Sequence, residues 1–560
     1  LHRLMACGIE ITPEDIMAIT DNTTDEIFET GDPIAPAAAR ARSAIDTLAT
    51  VLRENGAEED AVRFEDTREL IENLRSQVDV VTEGGHGNDT AAAIVFDVSD
   101  LISYFDNARL PTGIQRVQIE VISAALRQER RTVKICAFLE HRDEWVEITP
   151  AMFQMGCRLS LMSGDLKAPE WVAFLTKLRL AMTISDAMAF PRGAFLVNLG
   201  TSWWLQNYFL YVRQAKAAYG IRYVPFVHDL IPVMASEHCT RELTQDFISW
   251  ALGAFDHADF FLVNSEATKR DLLRVAALLE HAVDERAIIV VRLDADFRKP
   301  ATIPLPERDL SKWGLGRSEF VLFVSTIESR KNHIGAFDAW ISLLRNHRPR
   351  SVPKLVCVGN KGWLNDTVYA RLASHEGLRD KVVMLSGLSD AELDLLYRSC
   401  LFTLYPSNYE GWGLPVTESL CHGKVPLLSD ASSLPEAGGA FAHYFEAGST
   451  PRLTKALEQL IFDGSFRADK EAAIRKDFLP RKWGDIAADI AGATAERAIT
   501  SPLVDNGGYC APIATLGAHH PMVRNFETRI WPGMRSAEIF RSGSGWWGPD
   551  NWGCWTKAQG

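Results

Sequence analysis

The stretch that decides the fold is "LYPSNYEGWGLPVTESLCHGKVPLLSD", residues 404–430. An apolar run with the texture of a strand leads into a glycine-containing loop that holds Glu410, and Pro415 stands where a helix carrying Glu418 begins. Proline is favoured at the start of a helix because its fixed φ suits the first turn. The free N–H groups and the dipole at such a helix start attract an anion. This segment therefore predicts a strand, loop and helix that together bind an anionic group such as a diphosphate.

Two carboxylates in this stretch are eight positions apart, Glu410 in the loop and Glu418 in the first helical turns. Both side chains can face one ligand, Glu410 toward sugar hydroxyls and Glu418 toward a ribose diol. An isolated pair of glutamates is usually a pair of solvated helix charges. The strand, glycine loop and helix around this pair favour the functional interpretation.

Short apolar runs alternate with helical segments on both sides of this stretch, which indicates parallel sheets covered by helices. The runs before the interruption at 297–314 are "AIVFDVS", "TVKICAF", "AFLVNLG", "IRYVPFVHD", "DFFLVNSE" and "AIIVVRLD". Those after it are "EFVLFVST", "PKLVCVGN", "KVVMLSG", "LFTLYPS" and "KVPLLSD". The sequence therefore predicts two consecutive α/β domains of Rossmann type, with a ligand cleft at the carboxyl ends of their strands.

The predicted organisation has six segments. They are a helical N-terminal region (1–82), a linker (83–93), a first Rossmann-like domain (94–298), an interdomain linker (299–318), a second Rossmann-like domain (319–495) and a Trp- and Gly-rich tail (496–560). Five of the 15 tryptophans lie in that tail. Such a cluster is either a small packed appendage or a surface that stacks on sugar rings.

Composition limits the class of protein. The 59 basic and 73 acidic residues give a net charge of −14, which argues against a general nucleic-acid binder. The nine cysteines are widely spaced and form no C-x-x-C pair, a pattern typical of a reducing cytoplasm. No apolar run reaches the roughly 18 residues of a membrane span. We therefore expect a cytoplasmic protein, and peripheral contact with the inner membrane stays open.

The 404–430 stretch resembles the E-x(7)-E signature of family-4 type retaining glycosyltransferases of GT-B fold, particularly bacterial polysaccharide and lipopolysaccharide mannosyltransferases. The likeness covers residues 94–495 and includes "FVLFVSTIESRKNHIGAFDAW" at 320–340, "VVMLSGLSDAELDLLYRSC" at 382–400 and "RKWGDIAADI" at 481–490. The second of these three motifs would lie near the nucleotide base.

The resemblance implies a role for each matching residue. His228 and Glu410 would be catalytic, and Arg330 and Lys331 would clamp the diphosphate. The remaining donor-binding residues would be Gly387, Leu388, Gly413, Leu414, Thr417 and Glu418, with Thr112 and Gly113 on the acceptor side. Trp203 and Trp204 would either shape the acceptor pocket or pack between domains.

The implied reaction is transfer of a hexose, with retention, from a nucleotide sugar to a glycan or a lipid-linked glycan in surface polysaccharide biosynthesis. GDP-mannose is the first expectation for the donor, ahead of UDP-sugars and GDP-fucose. Asp294 and Asp296 form an Asp-x-Asp pair, but a cationic clamp already serves the phosphates, so we expect neither a metal nor a cofactor. A nucleotide-sugar epimerase of the same fold and a non-catalytic sugar-binding module are the alternatives.

Overall fold

The computed structural model describes residues 93–500, apart from 112, 129–131, 206, 297 and 299–306. The sequence predictions for the helical region 1–82 and for the tail beyond residue 500 lie outside the described residues. The same holds for Thr112.

The first domain is built on a seven-stranded sheet of order β3-β2-β1-β4-β5-β6-β7. Its strands are β1 (Ile94–Asp97), β2 (Val133–Leu139), β3 (Glu144–Ile148), β4 (Phe195–Asn198), β5 (Arg222–Val227), β6 (Phe261–Val263) and β7 (Ile288–Val290). All neighbouring pairs are parallel except β2 and β3, which form an antiparallel edge. The antiparallel edge strand was not predicted from the sequence.

Helices cover this sheet. They are α1 (Ser99–Phe105), α2 (Ile114–Leu126), α3 (Pro150–Ser160), α4 (Pro169–Ile184), α5 (Tyr208–Tyr219), α6 (Ile231–Met234), α7 (Arg241–His257) and α8 (Glu266–Leu278). Strands β1, β4 and β5 are buried along their whole length. Continuous burial is expected where helices pack on both faces of a parallel sheet, and it explains the unbroken apolar runs in the sequence.

The second domain contains a six-stranded, all-parallel sheet of order β10-β9-β8-β11-β12-β13. Its strands are β8 (Phe320–Val324), β9 (Lys354–Val358), β10 (Val382–Leu385), β11 (Thr403–Tyr405), β12 (Pro426–Ser429) and β13 (His443–Phe445). Its helices are α9 (His333–Asn346), α10 (Asp366–Ser374), α11 (Glu376–Lys381), α12 (Asp390–Ser399), α13 (Leu414–Cys421), α14 (Leu434–Gly438), α15 (Thr450–Phe462) and α16 (Gly464–Asp477).

The last described helix, α17 (Trp483–Thr500), returns from the second domain to pack against α2 of the first. The returning segment lies beside the outgoing one, since the backbone N–H of Asp296 donates to the carbonyl of Arg481 at 2.8 Å. Gln128 Nε2, just beyond α2, donates to the Gly484 carbonyl at 2.9 Å. The described chain thus crosses between the domains at two adjacent places.

The carboxyl ends of both sheets border one cleft, as expected for two Rossmann-like domains. The predicted α/β class with two parallel-sheet domains is therefore confirmed. Among the described helices, none combines the length and the apolar character needed to cross a membrane.

Candidate active site

A cavity of about 380 Å³ lies between the two domains. The first domain contributes the loop after β5 and the start of α2, and the second contributes the ends of β8, β9 and β11 and the start of α13. Nine of the residues proposed for the site line this cavity: Gly113, His228, Lys331, Gly387, Leu388, Glu410, Gly413, Leu414 and Glu418. The structure therefore brings nine of the twelve proposed residues together.

Glu410 is held by two cations. Lys331 Nζ lies 2.6 Å from its Oε1, and Arg330 Nη1 lies 2.9 Å from its Oε2. Burial has the largest effect on this carboxyl group and raises its pKa, but Arg330 and Lys331 together outweigh burial and lower the pKa to about 2. Glu410 is consequently ionised at neutral pH although it is buried.

Lys331 reaches the cavity from a short 3-10 turn, Ser329–Lys331, between β8 and α9. Asn332 then adopts a left-handed conformation (φ 61°), and its side chain accepts the N–H of Gly335 at 3.1 Å as the cap of α9. Lys331 Nζ also donates to the hydroxyl of Tyr405 at 2.9 Å. Burial and the neighbouring Arg330 lower the pKa of Lys331, while Glu410 opposes that change.

Arg330 does not line the cavity, and its role in clamping the diphosphate stays a prediction. Its guanidinium group binds Glu410, donates to Glu328 Oε1 at 2.7 Å and donates to the Tyr409 carbonyl at 2.6 Å. Burial lowers the pKa of Arg330, but Glu410 and Glu328 more than compensate and the pKa is raised. Because the Arg330 guanidinium group already contacts Glu410, Glu328 and the Tyr409 carbonyl, it is well placed to hold the Glu410 carboxylate in a fixed orientation.

His228 follows β5 and is buried at the cavity wall. Its Nε2 lies 2.8 Å from the Leu199 carbonyl oxygen, so this nitrogen carries the proton and donates. Burial lowers the pKa of His228 to about 4, against a smaller opposing effect of the Leu199 hydrogen bond. A neutral ring protonated at Nε2 leaves Nδ1 as a hydrogen-bond acceptor.

The two domains meet most tightly at Gly411. A Cβ atom at this position would lie 1.9 Å from the His228 carbonyl oxygen, so only glycine fits. Ser265 Oγ, at the start of α8, donates to the Gly411 carbonyl at 2.8 Å. This close approach brings the loop that carries Glu410 against the loop that carries His228.

Glu418 lies on α13, whose N-cap is Gly413 in a left-handed conformation (φ 101°). Its Oε2 accepts a hydrogen bond from the Tyr397 hydroxyl at 2.6 Å. Burial, the largest effect, raises the pKa of Glu418, whereas Tyr397 and then Arg116 act in the opposite direction. The helix start and this carboxylate face the same cavity, as the sequence predicted.

A charge pair near Glu418 was not predicted. Arg116 on α2 and Asp390 at the start of α12 both line the cavity and bind each other across the domains. Asp390 lies within the motif "VVMLSGLSDAELDLLYRSC" quoted above, and Arg116 is three positions after Gly113, which was assigned to the acceptor side. The sequence signal was thus present, but the pairing depends on how the domains pack.

Three other residues considered in the sequence analysis, Thr417, Trp203 and Trp204, do not line the cavity. Thr417 is buried and does not line the cavity, and its Oγ1 accepts from Trp412 Nε1 at 3.3 Å. Its assignment to the donor site stays a prediction. Trp203 packs edge-to-face on Phe247 of α7, with ring centroids 4.9 Å apart. Trp204 is 42% exposed, and neither tryptophan borders this cavity.

Asp294 and Asp296 are both engaged by arginines. Asp294 pairs with Arg292 at 3.3 Å and with Arg481 at 3.5 Å, and Asp296 pairs with Arg298 at 2.7 Å. Burial raises the pKa of Asp296, but the hydrogen bonds from Arg298 prevail and lower it. These contacts are those of structural carboxylates at the interdomain crossing.

Comparison with known proteins agrees with this geometry. Residues 307–477 match the family model described as "Glycosyl transferases group 1". The serotype-specific mannosyltransferase WbdA of Escherichia coli is 26% identical over 375 residues, which are 65% of this chain and 42% of that protein. The O-antigen chain mannosyltransferase B of Escherichia coli is 26% identical over 366 residues, 64% of this chain and 88% of that protein.

Among solved structures, Anabaena Alr3699/HepE in complex with UDP-glucose superposes with a TM-score of 0.49 at 16% identity, over 72% of this chain and 99% of that chain. The chain spans less than half the length of the WbdA relative. Two facing parallel-sheet domains are the GT-B arrangement expected from the sequence. Residues 307–477 are therefore similar to group 1 glycosyl transferases, and 65% of the chain is similar to the mannosyltransferase WbdA.

Proposed function

We propose that this protein is a retaining glycosyltransferase that transfers mannose from GDP-mannose to a glycan or lipid-linked glycan during surface polysaccharide biosynthesis. The observation that carries the proposal is the buried contact of 2.6 Å between Lys331 Nζ and Glu410 Oε1 on the wall of an interdomain cavity. His228 and Glu418 line the same cavity. The mannosyltransferase relatives favour mannose as the sugar.

The diphosphate of the donor would bind at the start of α13 and beside Lys331. The helix N-terminus offers free N–H groups and a positive dipole end, and Lys331 supplies a full positive charge. Glu418 would then accept hydrogen bonds from the ribose hydroxyls. This arrangement places the sugar near Glu410 and His228.

The bond from the sugar to the diphosphate breaks as the acceptor hydroxyl approaches the same face of the sugar. Negative charge grows on the departing diphosphate, and Lys331 and the α13 N-terminus stabilise it where it develops. The acceptor proton leaves with the diphosphate. Because the acceptor attacks the face from which the diphosphate departs, the sugar retains its anomeric configuration. No covalent intermediate with the protein is needed.

Glu410 is suited to orienting the sugar hydroxyls. A carboxylate paired with both Lys331 and Arg330, with its pKa lowered to about 2, is a weak base and a weak nucleophile. It remains a strong hydrogen-bond acceptor because it stays charged. His228, neutral at physiological pH, would accept a hydrogen bond from the sugar through Nδ1.

We further propose that transfer needs no metal ion. Lys331 and the helix start offer positive charge at the phosphates, and the arginine partners of Asp294 and Asp296 favour a structural role for that pair. We also propose a cytoplasmic location with peripheral contact at the inner membrane. Within the described part of the chain, the six cysteines form no disulfide bond, in keeping with a reducing compartment.

The function is tested by incubating the protein with GDP-mannose alone and then with an added mannose-containing glycan. We expect transfer only when the glycan is present, with an α-anomer from the α-linked donor in the NMR spectrum of the product. Epimerised donor without acceptor would favour an epimerase. Donor binding without any turnover would favour a non-catalytic module.

A further inference from the structure

The cavity wall near Glu418 carries a bidentate ion pair between the two domains. Arg116 Nη1 lies 2.8 Å from Asp390 Oδ1, and Arg116 Nη2 lies 3.0 Å from Asp390 Oδ2. Both side chains border the cavity, and Arg116 is largely buried, with 14% of its side chain exposed. Two parallel N–H···O bonds fix the plane of the Asp390 carboxylate.

The surroundings of this pair suit a flat aromatic ring. Leu388, Leu393 and Val358 border the same cavity and provide apolar contact surface. Gly387 adopts a left-handed conformation (φ 66°), and no atom lies within 4 Å of where its Cβ would be, so the backbone leaves open space there. A nucleotide whose ribose is bound by Glu418 would place its base within reach of these groups.

An ionised carboxylate has about four lone-pair directions, and Arg116 occupies one on each oxygen. The Asp390 oxygens can therefore each accept one further hydrogen bond. Guanine presents two adjacent donors, N1–H and the N2 amino group, which match the two oxygens of one carboxylate. Uracil presents a single N3–H between two carbonyl oxygens, so one of its carbonyls would face a carboxylate oxygen and be repelled.

We propose that Asp390, oriented by Arg116, selects guanine over uracil as the base of the donor. The inference rests on the proposed function, since it assumes that Glu418 binds the ribose of a nucleotide sugar. Asp390 is the residue that contacts the base, and Arg116 is a positioning residue that fixes the orientation of the Asp390 carboxylate. Because Arg116 belongs to the first domain and Asp390 to the second, base recognition is complete only when the domains are together.

The test uses calorimetric binding of GDP, IDP and UDP to the full chain. IDP lacks only the N2 amino group of guanine, so it isolates one of the two proposed hydrogen bonds. We expect the wild-type protein to bind GDP about tenfold or more tightly than either IDP or UDP, as expected when a charge-assisted hydrogen bond is lost. Equal affinities for GDP and IDP would overturn the proposal.

Two substitutions sharpen the test. Asp390→Asn keeps the shape but replaces one acceptor with a donor, so GDP should bind about tenfold more weakly while UDP changes by less than about threefold. Arg116→Gln should also reduce the ratio of GDP to UDP affinity. Asp366→Asn is the matched control, because Asp366 is the first residue of α10, as Asp390 is of α12, but lies outside the cavity. The ratio of GDP to UDP affinity in this variant should equal that of the wild type.

The outcomes separate this inference from the proposed function. Weakening of GDP and UDP by the same factor in Asp390→Asn would mean that Asp390 only supports the fold, and the inference would fail. If UDP binds more tightly than GDP, and this binding is lost when Glu418 is replaced, the inference about Asp390 fails. The protein would still be a nucleotide-sugar transferase in that case. If none of the three nucleotides binds the folded wild-type protein, the proposed function itself is wrong.

Discussion

Lys331 Nζ lies 2.6 Å from Glu410 Oε1, and both side chains are more than 90% buried. Lys331 belongs to the loop after β8 and Glu410 to the loop after β11, two strands that are neighbours in the sheet. Parallel strands thus bring together a cation and an anion that are 79 residues apart in the chain. The following predictions depend on this pair and on the groups around it.

Replacing Lys331 with Met should lower kcat/KM by about 100-fold or more, the range observed when one group that stabilises transition-state charge is removed. Glu410 keeps its second partner, Arg330, so the protein should remain folded. Steady-state kinetics and thermal unfolding measure both effects. Lys455→Met is the control, because Lys455 is exposed on α15, and its kcat/KM should equal that of the wild type. Wild-type activity in Lys331→Met would show that Lys331 does not stabilise the transition state.

Replacing Glu418 with Ala should weaken donor binding by about 1.5–3 kcal/mol, because a charge-assisted hydrogen bond to the ribose is lost. Calorimetry with GDP and its 2′-deoxy analogue measures the loss, and the variant should bind the two alike. Tyr397→Phe removes only the hydroxyl that donates to Glu418 and should have a smaller effect. An unchanged dissociation constant in Glu418→Ala would exclude Glu418 from the donor site.

Replacing Glu410 or His228 with Ala should reduce turnover much more than donor binding, since both groups would contact the reacting sugar. The comparison is between kcat and the dissociation constant for GDP-mannose in each variant. Glu376→Ala is a useful control because Glu376 is exposed on α11 and lies outside the cavity, and it should leave turnover nearly unchanged. Wild-type turnover in either of the first two variants would contradict their assignment.

The buried His228 should make stability depend on pH. Its pKa is about 4 in the folded protein and about 6.5 in the unfolded chain, so only the unfolded chain binds the extra proton between these two pH values. The unfolding free energy should therefore fall as pH decreases from 6.5 to 4, by up to about 1.4 kcal/mol per pH unit from this residue. His228→Asn should show a smaller slope in denaturant titrations; an identical slope would mean that His228 is not buried as a neutral ring.

Transfer should continue in excess EDTA, because Lys331 and the start of α13 are proposed to balance the phosphate charge. Asp296→Ala should keep its activity with or without added magnesium, since Asp296 is paired with Arg298 at 2.7 Å. Product formation is followed with GDP-mannose in chelated buffer. Loss of activity in EDTA, recovery with magnesium or manganese, and inactivity of Asp296→Ala would together establish a metal-dependent reaction.

All strands of the two sheets except β3 and β13 could be predicted, because each is a short apolar run between helical segments, a pattern local to the sequence. The start of α13 could also be predicted from a local signal, because Pro415 and the glycines before it mark the beginning of a helix. The antiparallel strand β3 was missed because "EWVEI" mixes polar and apolar residues and contains no unbroken apolar run of the kind used to identify the other strands. An edge strand of that kind lacks the continuous burial that identifies the central strands.

The side-chain pairings of the site could be predicted only in part. Lys331 and Glu410 follow adjacent strand ends, so topology alone places them together. Arg116 and Asp390 are 274 residues apart and meet only through the packing of two domains, which no local pattern encodes. The sequence also could not show that Arg330 turns toward Glu410, because Arg330 and Lys331 are neighbours and either could have faced the ligand.

The outgoing and returning segments between the domains lie side by side, with an isolated bridge joining Ala295 to Arg481. Two bodies connected at neighbouring points can swing about the line through those points, whereas sliding past each other would stretch both connections. Any opening of the cleft in this protein should therefore be a rotation with its axis near Ala295 and Arg481. Displacements then grow with distance from that axis, so groups far from it separate first and groups near it keep their contacts throughout the motion.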